Sequence, residues 1–456
     1  MSGTKNDGSI RDRARGLVAE HDLLKVLLLL LGIWLLFTIL AWNQNPDQRL
    51  NAIVSTIRFV TFLGIVYSLL ALALNLHWGY TGMFNIGVAG FMAVGVYVYG
   101  IIVRTPDPIT GQPPGLGLPI VVGIIAGMAA AAVVGLVAAL PALRLRADYF
   151  AIVTLGLSEI IRLTLQSSAL DGWLRETVGV GTGGGAGMRM DPGPDDPIRE
   201  LFYFGGRRAG GNTPLGDLVF AITDPLGIQQ TVVINAGYVV VLAVAAFAFY
   251  WFLNRIGKSP FGRILKAIRE DELVANSLGK DVDTAKIKVF MIGCALMGLG
   301  GILWQGSQSA VSPTPQFLPV ITFYIFIAMM LGGAGSNTGS VLGGLLFAGV
   351  LFEGPRTVGR LFRGRFEVEQ APRNAADAIG PMLSGDISPF MVYVTETRIA
   401  ALQFVILGVV LILLMQRRPE GLLGHRIEEA AAVDLSERPP GSSSGTATAD
   451  GGERDE

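Results

Sequence analysis

The sequence predicts an all-α polytopic membrane protein with about ten transmembrane helices, some short or broken, and a long polar loop on the cytoplasmic side. Three observations carry this. Of 456 residues, 51% are hydrophobic and only 16% charged, whereas soluble domains run near 25% charged. Apolar runs close to the ~20 residues that cross a bilayer recur along the chain. The basic residues between them gather mainly on alternate connections, as the retention of Lys and Arg in the cytoplasm requires. A formal net charge of −1 leaves no basic excess for phosphates and argues against a nucleic-acid partner. The single cysteine, Cys294, lies in an apolar run, so no intrachain disulfide or cysteine metal site can form. His21, His77 and His425 are far apart and lack ligand spacing; no metal or other cofactor is expected.

Residues 1–22 form a polar segment containing Arg11, Arg13 and Arg15, followed by the apolar run 23–42. That run is longer than a signal-peptide core and no small-residue cleavage site follows it, so it reads as the first transmembrane helix with its N-terminus inside. Further spans are expected at 59–76, 83–103, 118–140, 149–166, 230–253, 287–306, 317–331, 338–353 and 399–416. An even count puts both termini in the cytoplasm. Arg144, Arg146, the loop 254–288 and Arg417, Arg418 and Arg426 then fall inside, and the external segment 167–229 carries more acids than bases. The external segment 354–398 departs from the pattern, with Arg356, Arg360, Arg363, Arg365, Arg373 and Arg398. Residues 427–456, rich in Ser, Gly, Pro, Ala and acids, form a cytoplasmic tail unable to bury enough surface to fold.

Within 254–288, Phe261, Ile264, Leu265 and Ile268 recur at helical spacing, and Leu273, Val274 and Leu278 precede Gly279, a helix-ending residue. The loop reads as two short amphipathic helices outside the membrane. Their apolar faces pack either on the chain's own helix ends or on a partner. In 75–99, Gly79 and Gly82 permit a sharp turn, and Gly87, Gly90 and Gly95 give the following helix a surface for close helix approach. Asn75 and Asn85 sit in apolar surroundings, where a polar side chain is costly unless paired or facing an aqueous path. Glu159 and Arg162, three apart on one helical face, can form an ion pair; a place on a translocation path and a structural bridge between helices both stand.

Gly179, Gly181 and Gly184 satisfy G-x-G-x-x-G but lie in a loop, outside any βαβ unit, so no dinucleotide site is read there. The string LGGAGSNTGS at 331–340 lacks the Lys of a phosphate loop. The chain therefore carries no nucleotide engine of its own. This second glycine turn separates two short apolar segments, as a tight turn or a broken helix lining a pathway. The stretches 76–91 and 331–347 share an order of apolar helix, glycine turn and glycine-rich helix, suggesting a parallel internal repeat.

Several of these strings share one resemblance. SPFGRILKAIREDELVANSLGKDV at 259–282 is similar to the cytoplasmic loop of branched-chain amino acid permease subunits of ABC importers. LVANSLG at 273–279 takes the place of the E-A-A-x-x-x-G coupling motif, with Leu273 for Glu and Val274 for Ala but Ala275 and Gly279 kept. GYTGMFNIGVAGFMAVG at 79–95, LRLRADYFAIVTLGLSEIIR at 143–162 and RRPEGLLG at 417–424 resemble signatures of the same family. The resemblance covers about 57–185, 230–353 and 399–424; the insertions at 186–229 and 354–398 and the tail depart from it.

The resemblance implies a non-enzymatic permease domain over 23–426 that translocates branched-chain or related amino acids. It implies separate ATP-binding subunits docked on the loop, with Arg269, Glu270, Asp271, Glu272, Ala275 and Gly279 as coupling candidates. A second permease chain, similar or identical, and an external solute-binding protein complete the implied assembly in the cell membrane. Asn75, Asn85, Glu159 and Arg162 are the candidates for the translocation path. Permeases for urea or short amides share these motifs. A rival of another class, an ATP-independent secondary transporter or channel, would move solute without ATP and leave 254–288 contacting nothing.

Overall fold

A computed structural model describes residues 22–42, 48–105, 114–142, 147–205, 210–363, 372–394 and 398–423. Arg11, Arg13, Arg15, His21, Arg144, Arg146, Arg365, His425, Arg426 and the tail 427–456 lie outside these. Each of the ten expected apolar segments is helical: α1 (Asp22–Trp42), α2 (Arg49–Thr81), α3 (Val88–Val103), α4 (Ile120–Ala142), α5 (Ala147–Gln166), α9 (Gln230–Lys258), α12 (Val282–Gln305), α13 (Pro319–Gly332), α14 (Asn337–Leu346) and α18 (Ile399–Arg417). Among the described residues, seven helices are long and apolar enough to cross a membrane, or eight if α5 and the bent continuation α6 (Ser168–Thr177) form one span. Two more, α3 and α18, are shorter apolar helices. The chain is a multi-pass, all-α membrane protein.

At the centre stands α2, whose 33 residues rise ~50 Å. From Val60 to Ala73 it is buried on every face, which is what a helix apolar all round requires. It ends where Gly82 takes a left-handed conformation (φ 73°), its N–H bonded to Trp78 O. Around it pack α1, α9, α12, α13 and α14. The approach of α3 to α12 is backbone to backbone: a Cβ on Gly95 would lie 2.6 Å from Gly298 Cα, so the glycine face read from sequence is a packing face. The helices α1, α4 and α9 sit outermost and expose Leu27, Leu31, Val121, Ile125, Val240 and Val244, as lipid-facing helices do.

Between α2 and α3 the chain is non-helical over 82–87, which is why α3 is only 16 residues long. The break lies in a packed interior, so its backbone needs internal partners. It has them: Thr154 Oγ1 of α5 accepts from Ile86 N (3.0 Å), Asn85 Oδ1 from Gly87 N (2.8 Å) and Thr322 Oγ1 of α13 from Ala89 N (3.0 Å).

At the bundle end opposite the polar loop, β1 (Met188–Arg189) pairs antiparallel with β2 (Ala310–Val311), tying one insertion to the connection after α12. That insertion also carries α7 (Asp196–Phe202) and α8 (Pro214–Thr223). The other begins as a continuation of a bundle helix. Beyond α14 the chain runs through a π-helical stretch, Phe347–Glu353, into α15 (Gly354–Arg363), and α16 (Ala375–Leu383) and α17 (Ser388–Val392) follow. This bears on the arginines that break the charge pattern. Arg360 Nη2 donates to the buried Glu353 Oε1 (2.6 Å), and Arg356 lies over the Phe352 ring, 4.2 Å from its centroid. Those two positive charges are engaged within the helix.

Candidate coupling surface and buried polar network

The loop 254–288 folds as two helices with opposite fates. In α10 (Pro260–Glu270), Pro260 fits the first turn and Ser259 caps it, its Oγ accepting from Gly262 N (3.2 Å). Its apolar face turns inward: Leu265 and Ile268 are buried in the main core, with Phe261 and Ile264 packed against it. Here packing on the chain's own helix ends is what occurs. The second helix, α11 (Glu272–Ser277), is capped by Asp271, whose Oδ1 accepts from Leu273 N (2.9 Å) and Val274 N (3.0 Å). Only Ala275 of α11 faces inward. Leu273, Val274 and Leu278 are 78%, 53% and 71% exposed, an apolar tip beside the exposed Glu270, Asp271 and Glu272. Gly279 ends this unit with φ 73°, and a Cβ there would meet nothing within 4 Å; the backbone, not space, calls for glycine.

The six coupling candidates thus divide. Glu270, Asp271 and Glu272 are at the surface, Ala275 is buried, Gly279 sets the turn, and Arg269 points back into the bundle. Arg269 Nη1 donates to Gly79 O, one of the last carbonyls of α2, where a cation also meets the negative end of the helix dipole. The same nitrogen lies 2.7 Å from where a Cβ on Gly335 would stand. Partial burial lowers the pKa of the guanidinium from its ordinary value. Glu272 forms an ion pair with Lys286 of α12. Leu273, Val274 and Leu278 belong with the surface set; their place in the apolar pattern before Gly279 was the signal for them.

The four path candidates occupy three settings. Asn75 is fully buried: its Nδ2 donates to Asn337 Oδ1 (3.0 Å), and its Oδ1 accepts from Gly335 N (2.7 Å). Asn337 Nδ2 in turn donates to Tyr80 OH (3.0 Å) and Asn254 Oδ1 (2.8 Å). One polar cluster therefore joins the end of α2, the end of α9 and the second glycine turn, next to Arg269. Asn85, also fully buried, bonds through Nδ2 to His77 Nδ1 (3.1 Å), while His77 Nε2 bonds to Phe290 O of α12 (3.2 Å). Arg162 and Glu159 form a two-pronged ion pair, and Arg162 Nη1 also donates to Gln166 Oε1 (3.1 Å) and Thr314 Oγ1 (2.5 Å). This sits near the bundle end opposite the polar loop. Asn254, Asn337, Tyr80, His77, Thr154 and Thr322 were not among the sequence candidates. Their one local signal is a polar group in or beside an apolar run.

A family model described as the permease component of the branched-chain amino acid transport system matches residues 56–354. The high-affinity branched-chain amino acid transport system permease protein LivM of Escherichia coli is 31% identical over 287 residues, covering 63% of this chain and 61% of that protein. The probable branched-chain amino acid transport permease protein LivM of Methanocaldococcus jannaschii is 27% identical over 308 residues, 62% of this chain and 76% of the relative. The permease protein LivH of the Escherichia coli high-affinity system is 30% identical over 118 residues, 26% of this chain and 35% of the relative. The chain thus spans less than two thirds of the length of the Escherichia coli LivM it matches. No solved structure matches it.

Proposed function

The chain belongs to the family of branched-chain amino acid transport system permease components, and on that premise we propose that it is the transmembrane permease subunit of an ABC importer for branched-chain or related amino acids. ATP is hydrolysed in separate subunits that dock on α10 and α11, and an external solute-binding protein delivers substrate at the opposite end. A second permease chain completes the pathway. In support of that pairing, two differently named permease proteins of one Escherichia coli system both resemble this chain. The protein lies in the cell membrane with both termini and 254–288 in the cytoplasm.

The observation that carries the reading is the division of labour in the loop. An apolar tip of Leu273, Val274 and Leu278 projects from a polar segment, while Arg269 and the buried face of α10 grip the bundle. A solvent-exposed apolar tip on an otherwise charged loop fits a groove in a partner. Movement of that partner then reaches the ends of α2 and α9 and both glycine turns through Arg269 and the Asn75–Asn337 cluster. In this mechanism Asn75 and Asn85 hold the bundle together and Arg162 with Glu159 fastens α5 to the connection at Thr314. Access alternates as helices tilt about these fixed points.

The test is co-purification of an ATPase with the detergent-solubilised protein. Wild type retains the ATPase, and Gly279→Asp, which strains a left-handed position and adds a charge, loses it. Transport by the wild type in membranes depleted of ATP, at the rate seen with ATP, would replace this reading with an ATP-independent carrier.

A further inference from the structure

Between α1 and the body of the bundle runs a crevice of about 420 Å³ that neither the coupling surface nor the polar network uses. Leu30 and Trp34 of α1 form one wall, Ala243 and Phe247 of α9 the other, and Ile65 of α2 and Leu345 of α14 the back. The polar atoms along it are already engaged within the chain. Trp34 Nε1 donates to Thr61 Oγ1 (2.8 Å), Thr61 Oγ1 to Ile57 O (2.7 Å), and Ser68 Oγ to Gly64 O (2.7 Å) and Val341 O (3.0 Å). What remains facing the space is hydrocarbon, so a polar solute has no partner there.

Three further features identify the occupant. The crevice follows α1 from Asp22 to Trp34 and α9 from Val239 to Tyr250, ~17 Å at 1.5 Å per residue, close to one leaflet of a hydrocarbon core ~30 Å thick. One end is apolar and the other polar. At the polar end Asp22 accepts from Lys25 Nζ (3.0 Å) and Thr338 Oγ1 (2.9 Å), and Tyr250 OH shares a hydrogen bond with Thr338 Oγ1 (3.0 Å). Beyond Tyr250, α9 runs on to Arg255, Lys258 and the polar loop, which places that end at headgroup level. The flanks are exposed apolar side chains, Leu27 and Leu31 on α1 and Val240 and Val244 on α9, so the crevice opens onto lipid tails and not onto water.

We propose that this crevice is a binding site for one acyl chain of a phospholipid from the leaflet on the side of loop 254–288, with the headgroup beside Asp22 and Lys25. The lipid fills the gap between α1 and α9 and ties α1, which packs mainly on α2 and α14, to the rest of the bundle. Because Asp22 neutralises Lys25, the site selects for chain fit and not for headgroup charge. The proposal stands on the crevice alone and is independent of the transport reading.

Native mass spectrometry of the full-length protein, purified in mild detergent, tests it. The wild type is expected to carry one tightly held phospholipid per chain. Ala243→Trp and Ala246→Trp, which fill the crevice, should lower that occupancy at least fivefold, while Val244→Trp on the adjoining outer face leaves it unchanged. Equal occupancy in wild type and both filling variants, absence of retained lipid in the wild type, or a retained mass matching a free fatty acid overturns the proposal. So does cross-linking of Ala243→Cys to a second polypeptide in the membrane. A second measurement needs no filling variant. After reconstitution with a chain-brominated phospholipid and removal of unbound lipid, the wild type should lose a larger fraction of its tryptophan fluorescence than Trp34→Phe. Equal fractions sink the idea.

Discussion

Under the proposed function the loop has two jobs, holding a partner and passing on its movement, and Arg269 separates them. Its side chain leaves the exposed surface and donates to Gly79 O, so it is a positioning residue rather than part of the contact. Arg269→Ala should therefore retain a co-purifying ATPase while transport falls at least tenfold, with ATP hydrolysis continuing unproductively. Arg269→Lys should restore transport only in part, because a compact ammonium on a flexible stem does not reproduce the planar guanidinium geometry that meets Gly79 O. The measurement is transport per ATP hydrolysed in proteoliposomes. Loss of ATPase binding in Arg269→Ala would move the residue into the contact instead. Asn75 offers a different test. Its removal leaves the Gly335 N–H and the Asn337 amide without their buried partner, a cost of about 1–3 kcal/mol. Asn75→Ala and Asn337→Ala should each destabilise the solubilised protein, and the double variant by clearly less than the sum, because the two share one bond. Additive losses in melting experiments would place them in separate networks. The sequence exposed Asn75 as a cost in an apolar helix, yet it could not show how that cost is met. The partner lies 262 positions away, and no local periodicity reaches that far.

At the scale of elements, hydropathy was enough to find each of the ten helices, because burial in lipid or protein demands a continuous apolar run whichever neighbours the helix finds. It was blind to where helices stop for tertiary reasons. The break at 82–87 persists because hydroxyls of α5 and α13 and the amide of Asn85 meet its backbone groups; Thr154 and Thr322 look unremarked in apolar strings. The helix from α14 through Phe347–Glu353 likewise runs on into α15, past the span expected at 338–353, since arginines raise the polarity of α15 while the buried Glu353 that engages Arg360 has no local signature. Two predictions belong here. Gly95→Leu should disrupt the approach of α3 to α12, because a Cβ there would lie 2.6 Å from Gly298 Cα and 2.7 Å from Gly298 O, and that backbone has no flexible side chain to yield. Overpacking of this kind costs about 1–3 kcal/mol, and the expected readout is a lower melting temperature in detergent. Leu273→Asp should leave the melting temperature unchanged, because that side chain is 78% exposed, and still abolish ATPase co-purification. A matching fall in stability would make α11 part of the chain's own packing.

For the whole molecule, the arrangement of spans makes a claim about sidedness that a labelling experiment can decide. Between Ser277, at the end of α11, and Ser384, just after α16, the chain passes through α12, α13 and the long helix running from α14 into α15. Each qualifies as a membrane span by length and composition, the last two with the segments that continue them. An odd number of crossings puts the two serines on opposite faces. Both are exposed, and the chain's single cysteine, Cys294, is fully buried, so it contributes no background to a thiol reagent. In intact cells Ser384→Cys should react with a membrane-impermeant maleimide, and Ser277→Cys should react only after the membrane is opened. That result fixes 254–288 in the cytoplasm, where ATP is, and puts the arginine-bearing insertion outside despite its charge. Retention of Lys and Arg acts on free positive charge in short connections, and the engagement of Arg356 and Arg360 within α15 weakens that pull. If both cysteines label from one side, an even number of these three segments crosses the membrane and at least one of them is not a full span, and the accessibility of Ser277→Cys then still shows which face the loop 254–288 occupies.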